Sequence, residues 1–264
     1  MPQKWTDEVR NLYLLLLRRL YVAENKSLGE ISALLGWPEQ TVYSRLKKVG
    51  IVLTPERKAG YLVTTERTDI STPVRKTADL AEFFGIMLGD GHLSQYQITV
   101  TLGTKEMAYA EYAVSLMENL FGPRPKIAVC GDGHKTVYIG STGLSRWLQK
   151  NGLVFNKVRA QVGVPPWIFK NKNFMERFLR GFFDTDGSWY KLRWGSQIAF
   201  TNKSLPLLSS TRDMLLSLGY SASRAVGYKV YLTKKEDVSR FFKEIRPKNP
   251  KHYVRFENFS RVGS

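Results

Sequence analysis

The chain has 264 residues, of which 43% are hydrophobic and 12% are aromatic. This content is enough to fill the core of one large domain or of two moderate ones. Forty Lys and Arg against 23 Asp and Glu give a formal net charge of +17, which favours a polyanionic partner, nucleic acid first. The longest apolar run, Leu12 to Leu17, is too short to span a membrane, and the N-terminus lacks a signal-peptide pattern. We therefore expect a soluble, cytoplasmic protein that does not bind membranes. The single cysteine, Cys130, excludes an internal disulfide and a cysteine-based zinc site, so a metal would have oxygen ligands.

Residues 1–54 predict a small helical domain. Apolar residues recur every three or four positions from Asp7 to Tyr21, and Ser27 with Glu30 forms a capping box that starts a second helix through Leu34. Residues 36–38 (Gly-Trp-Pro) end that helix, and a third runs from Glu39 to Val49. The last two helices resemble a helix-turn-helix DNA-binding unit, although a protein-interaction module gives the same pattern. The candidate DNA contacts on the third helix are Gln40, Thr41, Ser44 and Arg45.

Residues 55–77 are predicted to be a linker, because they combine mixed charge with Thr, Ser and Pro and show no sustained period. One short strand is expected at Tyr61 to Val63.

A duplication occupies the rest of the chain. The segment from Phe84 to Gly91 recurs from Arg180 to Gly187, so that Asp90 and Asp186 are offset by 96 residues (186 − 90). The correspondence persists downstream, where Lys157 matches Lys251 at an offset of 94 (251 − 157). We predict two copies, residues 78–170 and 171–264, each an α/β (α+β) unit.

The duplicated helices end in an Asp-Gly pair and carry small residues where two backbones would touch, notably Gly85 and Gly181. Packed together, these helices would bring Asp90 and Asp186 face to face. A single Asp-Gly pair is usually a helix-ending turn, but two in register favour a shared site. Two close carboxylates repel each other and attract a hard cation such as Mg²⁺, which can promote phosphodiester hydrolysis.

Polar residues alternate with apolar ones in the predicted strands that follow each motif, which is typical of a half-buried sheet. The exposed face would carry hydrogen-bonding groups suited to base edges in a major groove, although a solvated face without DNA fits equally well. The candidate DNA contacts are Gln95, Gln97, Thr99 and Thr101 in the first copy, and Lys191, Arg193, Gln197, Thr201, Lys229 and Tyr231 in the second.

The two motifs, FFGIMLGDG (residues 83–91) and LRGFFDTDG (residues 179–187), resemble the signature of the LAGLIDADG homing endonucleases. The resemblance covers about residues 78–258 and implies two pseudo-symmetric αββαββα halves that form a DNA-binding saddle. The second motif is the closer match, because the first has Leu88 where the signature has its earlier acid.

The resemblance also implies residue roles. Asp90 and Asp186 would bind the metal, together with the carbonyls of Gly89 and Thr185. Polar residues at the end of a strand would order water around the metal, and a lysine near the end of each copy would offset phosphate charge. The matching residues are Thr104 and Asn202 for the polar positions and Lys157 and Lys251 for the lysines, with Lys248 as a competitor for Lys251.

The function implied by the resemblance is a monomeric homing endonuclease. It would use Mg²⁺ to cleave both strands of a long double-stranded DNA site and would leave short 3′ overhangs. Two alternatives stay open: a transcription regulator with the same fold but without catalysis, and an RNA maturase that binds its host intron. The presence of both aspartates favours the nuclease over the regulator.

Overall fold

A computed structural model describes residues 7–48, 50–51, 69–193 and 195–262. The chain divides into two compact units, Met1–Thr64 and Thr65–Ser264. The predicted strand at residues 61–63 and most of the predicted linker lie outside the described residues. In the described part of the chain, no helix is both long and apolar enough to cross a membrane.

The described part of the first unit is helical. It contains α1 (Asp7–Arg18), a short π-helix (Arg19–Ala23), α2 (Leu28–Leu35) and α3 (Glu39–Lys48). The predicted capping box is confirmed, since Ser27 N–H donates to Glu30 Oε2 at 2.7 Å and Glu30 N–H donates to Ser27 Oγ at 3.2 Å. Helix α2 ends at Gly36, whose φ of 64° is left-handed, so glycine suits the turn into α3. The buried residues Leu17, Leu20, Tyr21, Leu28, Ile31, Val42 and Leu46 form a separate core.

Residues 69–77, predicted as the end of the linker, make contacts within the second unit. Ser71 N–H donates to the Phe121 carbonyl at 3.0 Å, and the Lys76 ammonium donates to Asn151 Oδ1. Thr77 caps the next helix, because its hydroxyl accepts from Leu80 N–H at 3.1 Å.

The first half of the second unit has the expected αββαββα order. It comprises α4 (Ala78–Leu88), β1 (Gly91–Leu93), β2 (Gln97–Leu102), α5 (Met107–Phe121), β3 (Lys126–Val129), β4 (Lys135–Gly140) and α6 (Thr142–Lys150). The strands form an antiparallel sheet in the order β1-β2-β4-β3. Strand β2 starts at Gln97, so the candidate contact Gln95 lies in the turn before the strand.

The second half repeats this order with one strand fewer. After a 3₁₀ helix (Pro166–Lys170) come α7 (Lys172–Asp186), β5 (Gly187–Leu192), β6 (Gly195–Thr201), α8 (Leu205–Ser217), β7 (Lys229–Leu232), α9 (Lys235–Glu244) and α10 (Pro250–Val262). Its antiparallel sheet has the order β5-β6-β7.

The predicted fourth strand of this half is wrong for the described residues 221–228. In its place Ala222 forms an isolated bridge with Leu232. Arg212 Nε donates to the Ser223 carbonyl at 3.1 Å, and Ser223 N–H donates to the Tyr231 carbonyl at 2.9 Å, so this segment contacts β7 without forming a strand. The mixed α/β class with antiparallel sheets is nevertheless as predicted. One apolar core joins both sheets to the helices that cover them.

Candidate functional site

Helices α4 and α7 pack against each other through glycines. A Cβ atom added at Gly85 would lie 2.7 Å from the Phe182 nitrogen, and one at Gly181 would lie 3.0 Å from the Ile86 nitrogen. Because the obstructing atoms are main-chain atoms, no side-chain rotation could relieve the overlap. The predicted glycine seam is therefore present, and it holds the C-terminal ends of the two helices side by side.

The two motif aspartates lie at these helix ends. Asp90 follows the C-cap of α4, and Asp186 is the last residue of α7. A Cβ atom added at Gly89 would be 3.5 Å from Asp186 Cγ, so the Asp186 carboxylate lies against the end of α4. The structure thus brings the second aspartate to the helix that carries the first.

Burial dominates the electrostatics of both carboxyl groups. It raises the pKa of Asp186 to about 6, with the negative charge of Asp90 acting in the same direction and a hydrogen bond from Asn202 opposing it. Burial also raises the pKa of Asp90, while the charges of Lys251 and Lys157 lower it. Desolvation and mutual repulsion both disfavour two negative charges here, which makes a cation favourable.

The two predicted polar positions differ. Asn202 Nδ2 donates to Asp186 Oδ2 at 2.6 Å, so Asn202 contacts the acid of its own half. Thr104 is exposed, and its main-chain carbonyl accepts a hydrogen bond from the Lys135 ammonium. The resemblance gives Thr104 and Asn202 the same role, but Asn202 contacts a motif aspartate whereas Thr104 contacts Lys135.

Lys157 lies at the C-terminal end of α4. Its ammonium donates to the carbonyls of Met87 at 3.1 Å, of Gly91 at 2.8 Å and of Gly89. Unpaired carbonyls at a helix C-terminus carry partial negative charge and favour a cation. The Gly89 carbonyl, a predicted metal ligand, accordingly accepts from Lys157. Thr185, the other predicted carbonyl ligand, donates its hydroxyl to the Gly181 carbonyl at 3.0 Å.

Of the two candidate lysines of the second copy, Lys251 interacts with the motif aspartates, whereas Lys248 lies near the Tyr112 ring. The Lys251 charge lowers the pKa values of both motif aspartates. Lys248 is exposed, and its ammonium lies 6.0 Å from the centre of the Tyr112 ring. This geometry favours the alignment that matches Lys157 with Lys251.

Both lysines act on both aspartates, since the charges of Lys157 and Lys251 each lower the pKa values of Asp90 and Asp186. The sequence offset had matched the lysines with each other but gave no indication that each acts on both aspartates.

Three residues near the site were missed by the sequence analysis. Glu106 Oε1 pairs with the Lys251 ammonium at 2.8 Å and accepts from Asn249 Nδ2 at 2.6 Å. The buried Asp184 accepts from the N–H groups of Lys248 at 2.8 Å and Asn249 at 3.0 Å. Burial raises the pKa of Asp184 to about 8, although these N–H groups favour the carboxylate. Asp184 is the earlier acid of the second motif. Through its hydrogen bonds to Lys248 and Asn249 it holds the chain just before α10 in place.

The polar face of the first sheet contains most of its predicted DNA contacts. Strand register aligns Thr99 with His92 on one side and Tyr138 on the other, and Thr101 with Thr136. Gln97 shares this face, whereas Gln95 lies in the hairpin turn before β2.

The second sheet divides its predicted DNA contacts between its two faces and a turn. Its register pairs Thr201 with Lys229 on β7 and Gln197 with Tyr190 on β5, and it also puts Tyr231 on the Gln197 face. Lys191 pairs with Ser196, so it lies on the opposite face from Gln197, and Arg193 lies in the turn after β5. Of the predicted contacts, Lys191 therefore does not share the face of Gln197 and Thr201, because strand residues alternate between faces.

In the first unit, the predicted contacts on α3 have different surroundings. Gln40 and Ser44 are exposed, and Thr41 is half-buried. The Arg45 guanidinium instead lies 3.9 Å from the centre of the Trp37 ring, a cation–π contact within the unit.

Solved structures with a similar arrangement of helices and strands include the N-terminal LAGLIDADG domain of DUF199/WhiA, with 18% sequence identity and a TM-score of 0.47. That match covers 64% of this chain and 80% of the other. The homing endonuclease I-DmoI in complex with DNA and Mn matches with 18% identity and a TM-score of 0.46, covering 64% of this chain and 96% of the other.

A curated relative, the replication factor C small subunit of Methanocaldococcus jannaschii, is 25% identical over 168 residues. This match covers 63% of this chain but only 8% of the relative's length. Residues 173–246, from α7 to α9, match the family model described as a LAGLIDADG-like domain.

Proposed function

We propose that the second unit is a DNA endonuclease that hydrolyses both strands of a double-stranded site with the help of a divalent cation, Mg²⁺. One observation carries the proposal: Asp90 and Asp186 lie at adjacent helix ends beside two lysines that come from opposite copies. Structural roles alone give no reason to bury two repelling carboxylates at the end of a helix seam.

The donor set fits a hard cation. The described residues contain no group of three or more His, Cys, Asp and Glu side chains that could hold a metal, so the two aspartates need main-chain and water oxygens to complete a shell. Mg²⁺ commonly binds through one or two carboxylates and retains several waters. Asp90 and Asp186 would hold the ion, with the carbonyls of Gly89 and Thr185 as additional candidates.

The bound cation would polarise the scissile phosphate and acidify a water molecule. The protein's own groups have separable tasks. Lys157 and Lys251 would stabilise the negative charge that develops on the phosphate, since both ammonium groups are close enough to shift the pKa values of the aspartates. Asn202 fixes the orientation of the Asp186 carboxylate through its 2.6 Å hydrogen bond.

The polar faces of the two sheets would bind the DNA on either side of this centre. The net charge of +17 supports tight, salt-dependent phosphate contact. Residues Gln97, Thr99 and Thr101 would meet base edges in one half, and Gln197, Thr201, Lys229 and Tyr231 in the other. Because both halves belong to one chain, a monomer would suffice to cut both strands with short 3′ overhangs.

The first unit would extend the DNA contact as a helix-turn-helix reader. Exposed Gln40 and Ser44 near the N-terminal part of α3 support this role, since that part of a reading helix meets the bases. Arg45, which stacks on Trp37, would shape the helix surface rather than reach a base.

Incubation of the purified chain with Mg²⁺ and a randomised duplex library, followed by sequencing of the cut ends, tests the proposal. We expect one long consensus with staggered cuts, and no cuts when EDTA replaces Mg²⁺. Recovery of bound but uncut duplexes with Mg²⁺ present would contradict the nuclease proposal and favour a DNA-binding regulator.

A further inference from the structure

Glu106 joins the two copies at the candidate site. It is the residue before α5 in the first copy, yet its carboxylate contacts Lys251 at 2.8 Å and Asn249 at 2.6 Å, both in the second copy. Its other oxygen accepts from Gly103 N–H at 2.5 Å, which fixes the carboxylate in place. The side chain of Glu106 is 12% exposed and that of Lys251 is 33% exposed, so the pair is only partly screened by water.

The other half of the site lacks this carboxylate. The matching polar positions Thr104 and Asn202 are offset by 98 residues (202 − 104), and the same offset places Ser204 at the position of Glu106 (106 + 98). Ser204 donates its hydroxyl to the Val162 carbonyl at 2.6 Å, which secures the segment after Lys157 but leaves the ammonium itself to main-chain carbonyls. The two lysines are therefore held in different ways.

We propose that Glu106 is a positioning residue that holds the Lys251 ammonium in one place at the candidate site, and that it makes the two halves of the site unequal. This inference rests on the proposed nuclease function. A lysine side chain is long and flexible, so its ammonium stays at one point only where fixed acceptors hold it. Lys251 depends on Glu106 for this, whereas Lys157 has the carbonyls of Met87, Gly89 and Gly91.

The consequence is that the two DNA strands depend differently on Glu106. Loss of the Glu106 carboxylate should displace Lys251 and slow the cut that depends on Lys251. Cutting that relies on Lys157 should be retained, because none of the hydrogen bonds of the Lys157 ammonium involves Glu106.

A single-turnover assay tests this on a duplex that the wild-type protein cuts, with a different fluorophore on each strand. We expect Glu106→Gln to slow one strand by about tenfold, the factor expected when a hydrogen bond to a charged group is lost, and to change the other by less than about twofold. Lys251→Met should slow the same strand, and the double variant Glu106→Ala with Lys251→Met should be no slower than Lys251→Met alone. Glu111→Gln is the matched control, since Glu111 is an exposed residue of α5 that pairs with Arg124.

A second measurement needs neither metal nor DNA. Urea unfolding of the wild type, Glu106→Ala, Lys251→Met and the double variant should give non-additive stability losses, because the two side chains form one pair. Additive losses, equal slowing of both strands or faster cutting by Glu106→Gln would each refute the positioning role. No cutting by the wild type would refute the proposed function and the strand effect with it, whereas equal slowing of both strands refutes only the role of Glu106.

Discussion

Replacing Gly85 with alanine should destabilise the second unit, because the seam between α4 and α7 leaves no space for a side chain. The added Cβ would overlap the Phe178 carbonyl and lie 2.7 Å from the Phe182 nitrogen. Overpacking of a tight interior costs about 1–3 kcal/mol, and main-chain obstacles put this site toward the upper end of that range. For a domain of this size about 3 °C of melting temperature corresponds to each kcal/mol, so we expect a drop of about 3–9 °C.

The control is the same substitution at Gly143, on the exposed side of α6. A Cβ atom there meets only Ser141 Oγ at 3.9 Å, and alanine favours a helix over glycine by about 0.5–1 kcal/mol. Thermal unfolding of the full chain, followed by circular dichroism, should show Gly85→Ala melting below the wild type and Gly143→Ala at or above it. If Gly85→Ala melts within about 1 °C of the wild type, the glycine seam is not the constraint described here.

Three further outcomes are expected. In urea unfolding, the free energy of unfolding should fall by about 1–3 kcal/mol more for Lys157→Met than for Lys251→Met, because loss of the Lys157 ammonium leaves the carbonyls of Met87 and Gly91 without this donor. Equal losses in the two variants would contradict this. His252 is buried, and burial lowers its pKa from 6.5 to about 3. As the pH falls below 6.5, this histidine therefore takes up a proton in the unfolded chain but stays neutral in the folded chain, which favours unfolding. Between pH 7 and pH 5 the stability of the wild type should fall by about 2 kcal/mol more than that of His252→Phe, and parallel pH profiles of the two proteins would refute this. A chain starting at Thr65 should still cut but protect a shorter DNA site; an unchanged footprint and affinity would mean that the first unit does not read DNA.

Local spacing in the sequence was sufficient to predict several features. The capping box of Ser27 and Glu30 depends on neighbours three residues apart, and the structure contains both of its hydrogen bonds. The glycines of the two motifs repeat at a fixed offset, and that repetition predicted the seam that Gly85 and Gly181 form.

The register of the strands could not be predicted, because it depends on turns that the alternation of polar and apolar residues does not indicate. Lys191 lies on the opposite face from Gln197 because the turn between β5 and β6 sets the register, and the register fixes which residues share a face. The fourth strand of the second half was also wrong, since residues 221–228 make isolated bridges to β7 in place of a continuous ladder.

Contacts between distant segments were out of reach of the sequence. Asn249 and Glu106 are 143 residues apart and belong to different copies, so no repeat offset relates them. Glu106 lies two residues after Thr104, a predicted site residue, but only the fold shows that the Glu106 carboxylate reaches Lys251.

The most direct test of the central claim compares Asp90→Asn and Asp186→Asn with the wild type in paired cleavage and binding assays on one duplex. Each variant keeps nearly the same shape but loses a carboxylate charge at the helix ends. We expect both to lose double-strand cutting in Mg²⁺ while binding the duplex within about tenfold of the wild-type affinity, because phosphate contacts dominate affinity. Wild-type cutting by either variant would contradict the assignment of the paired aspartates as the metal-binding centre.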